Sequence, residues 1–545
     1  LDAVEYTRIP TRRGRLLPAL SAGSEAWFAP VTICLVATVL GAALRLYHLG
    51  ETPAWRDETV VYWLGQETLG RLLSRDLALT GTHPPLFYIV HWGWNYLTGL
   101  FGIGPSAIAV RMPSVIIGTA SIPLFYVMFR NGFGQRVAAA GAVFLAVSPA
   151  HLAFSRTAKS EILVVFLLIP TLGFAVRLLD RLADLRDARA DVWTVWRDRG
   201  FVAFAVCYIL SAILMLHTHS LGCMGLFSPS FLFVVQFLRR KQGLAAVAIW
   251  AVINLIVVAA FLPWLNLLME ISKAGTGYWW LRPLDSIQVV MGLLHLLIDL
   301  PEPPGAAIDD RALLAVGLLT TDLIIVGCVR AMCSGARRAG IAVALLSVPA
   351  ILFAISQAKP VFWGYMLTAF SLPLLALVAG FALEARTAPR RTQALLVALM
   401  VAFTLPADQY VYGGTPEAWD KVAAYLGERI EPDDPVLFWP PLGEWSTRFY
   451  GLHATEGWRT IDLGPNVDFQ PLQTVPAMPI ADVPSFVRNA HRLWLVTDER
   501  WVPDVHALPD LRTTLSGRMT LLSRVQFGSG LTVFAFDAQT AVNSD

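Results

Sequence analysis

Long apolar runs separated by short polar breaks dominate the chain from residue 27 to 406. Runs over roughly 27–47, 107–129, 137–153, 160–179, 201–216, 219–238, 245–265, 311–331, 340–356, 361–383 and 392–406 read as helices that cross a bilayer, several only with tilt or local thinning. The breaks between them sort by Lys and Arg. Arg130/Arg136, the run Arg177 to Arg199, Arg239-Arg240-Lys241, Arg330/Arg337/Arg338 and Arg386/Arg390/Arg391 form basic loops, whereas 217–220, 266–310 and 357–360 are poor in cations for their length. Basic loops stay in the cytoplasm. A further apolar segment, 84–101, would reverse every later basic loop if it spanned, so it is expected to lie along the outer interface with Trp92, Trp94 and Tyr96 as anchors. About eleven spans result, with the N-terminus inside and a first external loop over about 48–106.

The pattern changes after Leu405-Pro406. Residues 407–545 alternate short strand-like runs (Val436 to Trp439, Leu493 to Val496, Leu531 to Phe536) with helix-like stretches near 416–430 and 484–491. The expected fold is therefore a polytopic α-helical membrane part over 1–406, followed by an external α/β domain over 407–545.

Composition agrees with the runs. Of 545 residues, 55% are hydrophobic and 15% charged, against about a quarter charged in soluble proteins, and the mean hydropathy is +0.56. A net charge of +2 with segregated charges points to no nucleic acid. Eighteen Trp and 29 Phe suit interfacial aromatic belts. The five cysteines lie in or beside apolar runs, which implies neither a disulfide framework nor a thiolate metal site. Arg8, Arg12, Arg13 and Arg15 precede the first run with no small-residue cleavage site, the pattern of an uncleaved signal anchor.

Charge near lipid is costly unless it faces a cleft, a partner or water, and several external run ends carry it. Asp57-Glu58 follows the first run; the bland alternative is a helix cap or a solvated pair. His83 is held by Pro84-Pro85, which fix an extended entry to a helix. The turn Ser155 to Glu161 carries Arg156 and Lys159, which one helical turn would put on one face, suiting a lipid-linked phosphate. Glu161 there is a second candidate acid. Arg111 sits near the outer end of its run, to hold an acidic partner such as Asp57 or Glu161 or to bind phosphate. Lys359, before Tyr365, can reach a phosphate at the outer leaflet; snorkelling is the alternative for Arg156, Lys159 and Lys359. His217 and His219 form an H-x-H pair at another external turn, a weak metal signal whose ordinary reading is interfacial polarity; in a site they would give acceptor or loop support. Converging, such groups would transfer a group from a lipid phosphate: cations neutralise the leaving phosphate, and a carboxylate takes the acceptor's hydroxyl proton.

Asp57-Glu58, His83-Pro84-Pro85-Leu86, Arg111-Met112-Pro113-Ser114, Ser155 through Glu161, and Lys359-Pro360 with Tyr365 occur in that order. In this the chain resembles the C-type (GT-C) glycosyltransferases of the protein O-mannosyltransferase and aminoarabinose transferase group. The resemblance implies a polyprenyl-phosphate sugar donor and transfer on the outer face with inversion at the anomeric carbon. It makes Asp57 the catalytic carboxylate with Glu161 as the second acidic position, His83 a residue near the donor, and Lys359 a cation near the lipid phosphate. Thr82-His83 stands where the aminoarabinose transferases have an acidic residue and Lys, so a divalent metal ion as cofactor is left open. Phe87 replaces the Gly-Lys of the protein mannosyltransferases, which directs the expectation to a glycan or lipid acceptor. Gly364 stands where many relatives carry Arg, which leaves Lys359 as the phosphate ligand there. The expected setting is a bacterial inner (plasma) membrane among membrane lipids, with Glu58 as support for the loop or acceptor. A lipid or sugar transporter or flippase is the alternative, and would place charges or broken helices near mid-membrane in two related halves; a non-enzymatic scaffold leaves the external clusters unexplained.

Overall fold

The computed structural model describes residues 24–74, 83–187, 192–241, 243–274, 284–298, 311–358, 361, 364–384, 398, 401–402, 411–412, 417–439, 443–461, 475–498, 507–528 and 530–538. Helices Ser24–Leu46, Ala107–Phe133, Glu161–Asp187, Arg199–Leu216, Met224–Arg240, Leu244–Ala274, Arg311–Met332, Ala336–Ser356 and Gly364–Leu383 form a bundle. Six helices among the described residues are long and apolar enough to cross a membrane, or seven with one bent pair. The expected count of about eleven is therefore not reached by this measure. Met224–Arg240 is only 17 residues long, the apolar part of the first helix, Pro30–Leu46, is also short, and most of 392–406 lies outside the described residues.

The bent pair has a local cause. The run read as one span, 137–153, is two helices, Gln135–Val147 and Pro149–Ser155, that meet at 60°. Pro149 lacks the N–H that would have bonded the carbonyl of Leu145. Ser148 caps the second helix by accepting from the His151 N–H at 3.1 Å. The Arg45 guanidinium reaches over from the first helix and donates to the Leu145 and Ala146 carbonyls at 3.1 and 3.3 Å. Its Nη2 also lies 2.6 Å from His151 Nδ1. A break buried within the bundle is thus satisfied by one fully buried cation.

Small residues let the central helix Gly364–Leu383 approach its neighbours. A Cβ at Gly141 would stand 2.7 Å from the Ala376 carbonyl oxygen, and one at Gly380 would stand 2.6 Å from that of Val137. Both contacts join Gln135–Val147 to this helix without side chains between the backbones. Leu35, Val36, Val39, Leu210, Leu255, Leu318, Val329 and Leu346 point outward as an apolar surface.

The basic loops meet at one end of the bundle. Asp180 pairs with Arg337 at 2.6 Å and with Arg240 at 3.8 Å; Arg338 pairs with Glu384 and Arg181 with Asp198. Arg330 donates to a carbonyl at a helix C-terminus, that of Ala382 at 2.7 Å, and Arg177 to that of Met128, within the last two turns of Ala107–Phe133, at 3.2 Å.

At the other end, the first long loop folds into helices Arg56–Leu64, Leu69–Leu72 and Leu86–Leu100. Leu86–Leu100, the segment assigned to the interface, has 15 residues and is not among the candidate spans. Asn95 donates to the Tyr62 carbonyl at 3.1 Å and Trp94 to that of Ala109 at 2.8 Å, while Tyr96, Leu97 and Leu100 stay exposed.

The C-terminal part forms a six-stranded sheet in the order β3-β2-β1-β4-β6-β5. The strands are β1 (Val436–Trp439), β2 (Trp458–Ile461), β3 (Ala477–Met478), β4 (Arg492–Asp498), β5 (Met519–Phe527) and β6 (Leu531–Ala538). The pairs β3/β2, β2/β1 and β1/β4 are parallel, and β4/β6 and β6/β5 antiparallel. Alternation along the strands builds two cores. Leu437, Trp439, Leu493, Leu495, Phe534 and Phe536 pack with Leu511 and Leu515 on one face. Val436, Phe438, Trp494, Val496, Val533 and Ala535 pack with Trp419, Val422 and Leu426 on the other. This is the α/β architecture expected from the run pattern.

Candidate active site

Asp57 and Glu58 both lie in the first turn of Arg56–Leu64, where successive side chains diverge around the helix axis. Glu58 turns inward and is fully buried. Its carboxylate takes the fork of Arg111, Nε to Oε1 at 2.8 Å and Nη2 to Oε2 at 2.7 Å. It also accepts from the N–H groups of Ala158 at 3.0 Å and Trp55 at 3.3 Å. Arg111 spends its remaining reach on the carbonyls of Leu49, Thr52 and Pro53 at 2.8–2.9 Å. Of the two roles expected of Arg111, the structure assigns that of holding an acidic partner, and the partner is Glu58. Every guanidinium nitrogen is engaged, so the structure does not support the phosphate-binding role.

Asp57 turns the other way, and its side chain keeps 36% exposure. Lys159 Nζ stands 3.3 Å from its Oδ2 and 4.7 Å from the Trp55 ring centroid. Burial alone would lower the Lys159 ammonium, but Asp57 and Glu161 hold it above its usual range. Glu161 opens helix Glu161–Asp187; it is buried, and its Oε2 has no partner among the described residues.

Arg156 does not share a face with Lys159. The residues between the flanking helices form a turn rather than a helix, so spacing of three no longer aligns side chains. Arg156 instead caps the end of Ser24–Leu46, donating to the Arg45 carbonyl at 2.8 Å and that of Leu44 at 3.3 Å, with its guanidinium 4.5 Å from the Tyr412 ring. The expected cationic pair is therefore one cation at the site and one in the frame.

His83 joins the cluster. Its ring stacks on that of His219, centroids 4.1 Å apart, and its Nδ1 lies 3.2 Å from Ser220 Oγ. Burial, reinforced by the Lys159 charge and opposed by Asp57, pushes His83 down to about 4, so the imidazole is neutral from pH 5 to 8. The Tyr88 hydroxyl hydrogen-bonds to the His83 backbone, and burial raises its pKa, with Asp57 and Glu161 adding to the effect. His217 has a framework part: Nδ1 contacts the Ile213 carbonyl at 2.9 Å, its ring meets Phe261 edge-on, and its own carbonyl accepts from the Leu86 N–H at 3.0 Å. The H-x-H pair thus points two ways. Lys359 lies outside the described residues, as does the side chain of Tyr365, whose backbone is in Gly364–Leu383.

The C-terminal part also reaches the site, which spacing in the chain gave no means of finding. Glu417 accepts from the Arg56 N–H at 2.9 Å, at the start of the Asp57 helix. Thr59 and Ser446 share a hydrogen bond of 2.9 Å, Trp63 donates to the Trp445 carbonyl at 3.0 Å, and the Tyr450 hydroxyl donates to that of Ala54 at 3.1 Å. Arg45 was missed as well; its only sequence signal was a cation inside an apolar run.

Among the described residues no group of three or more His, Cys, Asp or Glu is placed to hold a metal ion. The donor chemistry points the same way at Asp57: an ammonium already occupies the cationic place beside its carboxylate. The residues described do not fit a divalent ion there.

Residues 82–189 match the family model of dolichyl-phosphate-mannose-protein mannosyltransferases. No curated protein sequence matches the chain. Among solved structures, the aminoarabinose transferase ArnT of Cupriavidus metallidurans in its apo state superposes with a TM-score of 0.62 at 15% identity, over 94% of this chain and 98% of that one. The same protein bound to undecaprenyl phosphate gives 0.55 at 16% identity, with the same coverage of both chains. The oligosaccharyltransferase AglB of Archaeoglobus fulgidus, in complex with an inhibitory peptide and a dolichol-phosphate, gives 0.51 at 15% identity over 96% of this chain and 76% of that one. At these identities the shared property is the fold, so residue roles rest on the geometry above. By fold and by the matched segment, the chain resembles the C-type glycosyltransferases of the protein O-mannosyltransferase and aminoarabinose transferase group.

Proposed function

We propose that this protein transfers a sugar from a polyprenyl-phosphate donor to a hydroxyl of a glycan or lipid acceptor, at the outer face of a bacterial inner membrane. The observation that carries the reading is the gathering of Asp57, Lys159, His83 and His219 at the bundle end opposite the basic loops. In this orientation the N-terminus is cytoplasmic and the C-terminal α/β part is periplasmic.

Asp57, half-exposed, accepts the proton of the acceptor hydroxyl as its oxygen attacks the anomeric carbon. The bond from that carbon to the phosphate oxygen breaks, its electron pair leaves with the polyprenyl phosphate, and the configuration inverts. Phosphate is a good leaving group once its charge is met, so the step requires no general acid. Lys159 supplies positive charge beside Asp57 from a partly dry position, where it acts more strongly than in water. Neutral His83 contributes polar contact rather than a proton. Glu161 is the second carboxylate, and Lys359 the second cation for the phosphate.

The test is incubation of the purified, reconstituted protein with radiolabelled undecaprenyl-phosphate sugars and membrane glycolipid, with and without chelator. The expected result is label on the acceptor with inverted anomeric configuration, insensitive to chelator. Labelled donor that crosses the bilayer unreacted would replace this reading with the flippase alternative.

A further inference from the structure

His219 is fully buried in the turn between Arg199–Leu216 and Met224–Arg240, and its ring is fixed from several sides. Its face stacks on His83 and its edge meets Phe370 at 6.4 Å between centroids. The Leu221 N–H donates to Nδ1 at 3.0 Å. A backbone amide can only donate, so Nδ1 is the acceptor and the ring's single proton sits on Nε2. That Nε2–H is buried and has no partner among the described residues. A buried donor left unmade is costly. Burial, with the His83 ring and the Lys159 charge behind it, opposes protonation of His219, so the donor stays neutral. A fixed neutral donor beside an ammonium suits an anionic oxygen.

We infer that His219 binds a non-ester oxygen of the lipid-linked phosphate through its Nε2–H, with His83 stacked on it to fix the ring. The inference rests on the proposed donor class and gives the phosphate a residue that the sequence offered as a weak metal signal or as acceptor or loop support. Its neighbours define the division of labour: Lys159 meets charge, and His219 fixes the orientation of one oxygen.

The probe is undecaprenyl phosphate, titrated into full-length protein in nanodiscs. His219→Asn keeps an acceptor for the Leu221 N–H in the place of Nδ1 but lacks the ε donor. His219→Phe keeps the stacked ring and also lacks it, and His219→Gln carries an amide N–H to about the Nε2 position. A charge-assisted hydrogen bond predicts binding about 10- to 100-fold weaker in whichever donor-less variant retains wild-type melting, with His219→Gln close to wild type. Unchanged binding by a folded donor-less variant overturns the inference and leaves the proposed function standing. Binding by His219→Gln as weak as by His219→Asn, with both folded, also overturns it, because the ring rather than the N–H would then matter. Wild-type protein that does not bind undecaprenyl phosphate at all removes the donor class and this inference together.

Discussion

Asp57→Asn is expected to lower sugar transfer by about 10²- to 10⁴-fold, the usual contribution of a general base, while the protein folds and binds donor as before. The substitution keeps size and shape but removes the basic oxygen. Asp57 is half-exposed, and its ion pair with Lys159 at 3.3 Å borders solvent, so its loss costs little stability. Neighbouring Glu58 cannot take over, because both its oxygens are held by Arg111 and by backbone N–H groups. The measurement is turnover at saturating donor beside thermal unfolding of the same preparation. Near-normal turnover by a folded Asp57→Asn protein would remove Asp57 as the base.

The second large effect concerns folding. Arg111→Met leaves the Glu58 carboxylate buried without its cation, a change of about 3–5 kcal/mol in proteins where it has been measured. Arg111 also ties the carbonyls of Leu49, Thr52 and Pro53 to the same point, so the loop that carries Asp57 loses its anchor. The expected outcome is a large drop in melting temperature in detergent, or no folded protein. The double variant Glu58→Met/Arg111→Met should recover much of the loss, because no buried charge remains unpaired. If Arg111 bound phosphate instead, Arg111→Met would melt like wild type and raise the KM for donor.

These two neighbours illustrate what could be read from the chain. Adjacent carboxylates at the exit of an apolar run mark a special place, and the family resemblance points to Asp57 as the base, with Glu58 as support. Which of them faces inward depends on the rotation of a nine-residue helix, and that is set by Arg111, 53 residues further on. That the basic loops share one end of the bundle was legible from a simple charge rule, and they do meet, through Asp180 and Glu384. The bend at Ser148-Pro149 was not, since 137–153 is apolar apart from Ser148 and His151 and only Ser148-Pro149 hinted at two pieces. Arg156 and Lys159 looked equivalent because spacing carries meaning only on a regular helix; in a turn, each follows its own partner.

The C-terminal part shows the same limit. Its alternating strands were visible, and β1, β4 and β6 coincide with the apolar runs. Short β2 and β3 and the largely exposed edge strand β5 carried too weak a pattern. That this part grips the Asp57 helix through Glu417, Trp445 and Ser446 depends on contacts 361 to 387 residues apart in the chain, beyond any local signal. It therefore positions the site as well as standing beside it.

The proposed reaction requires the lipid phosphate to be handled at the Asp57 end of the bundle. The most direct measurement is a cryo-electron microscopy structure of the full-length protein with undecaprenyl phosphate. Phosphate density is expected beside Lys159 and the stacked His83 and His219, within reach of Asp57. Phosphate density at the opposite end, among Arg240, Arg337 and Arg338, would contradict it.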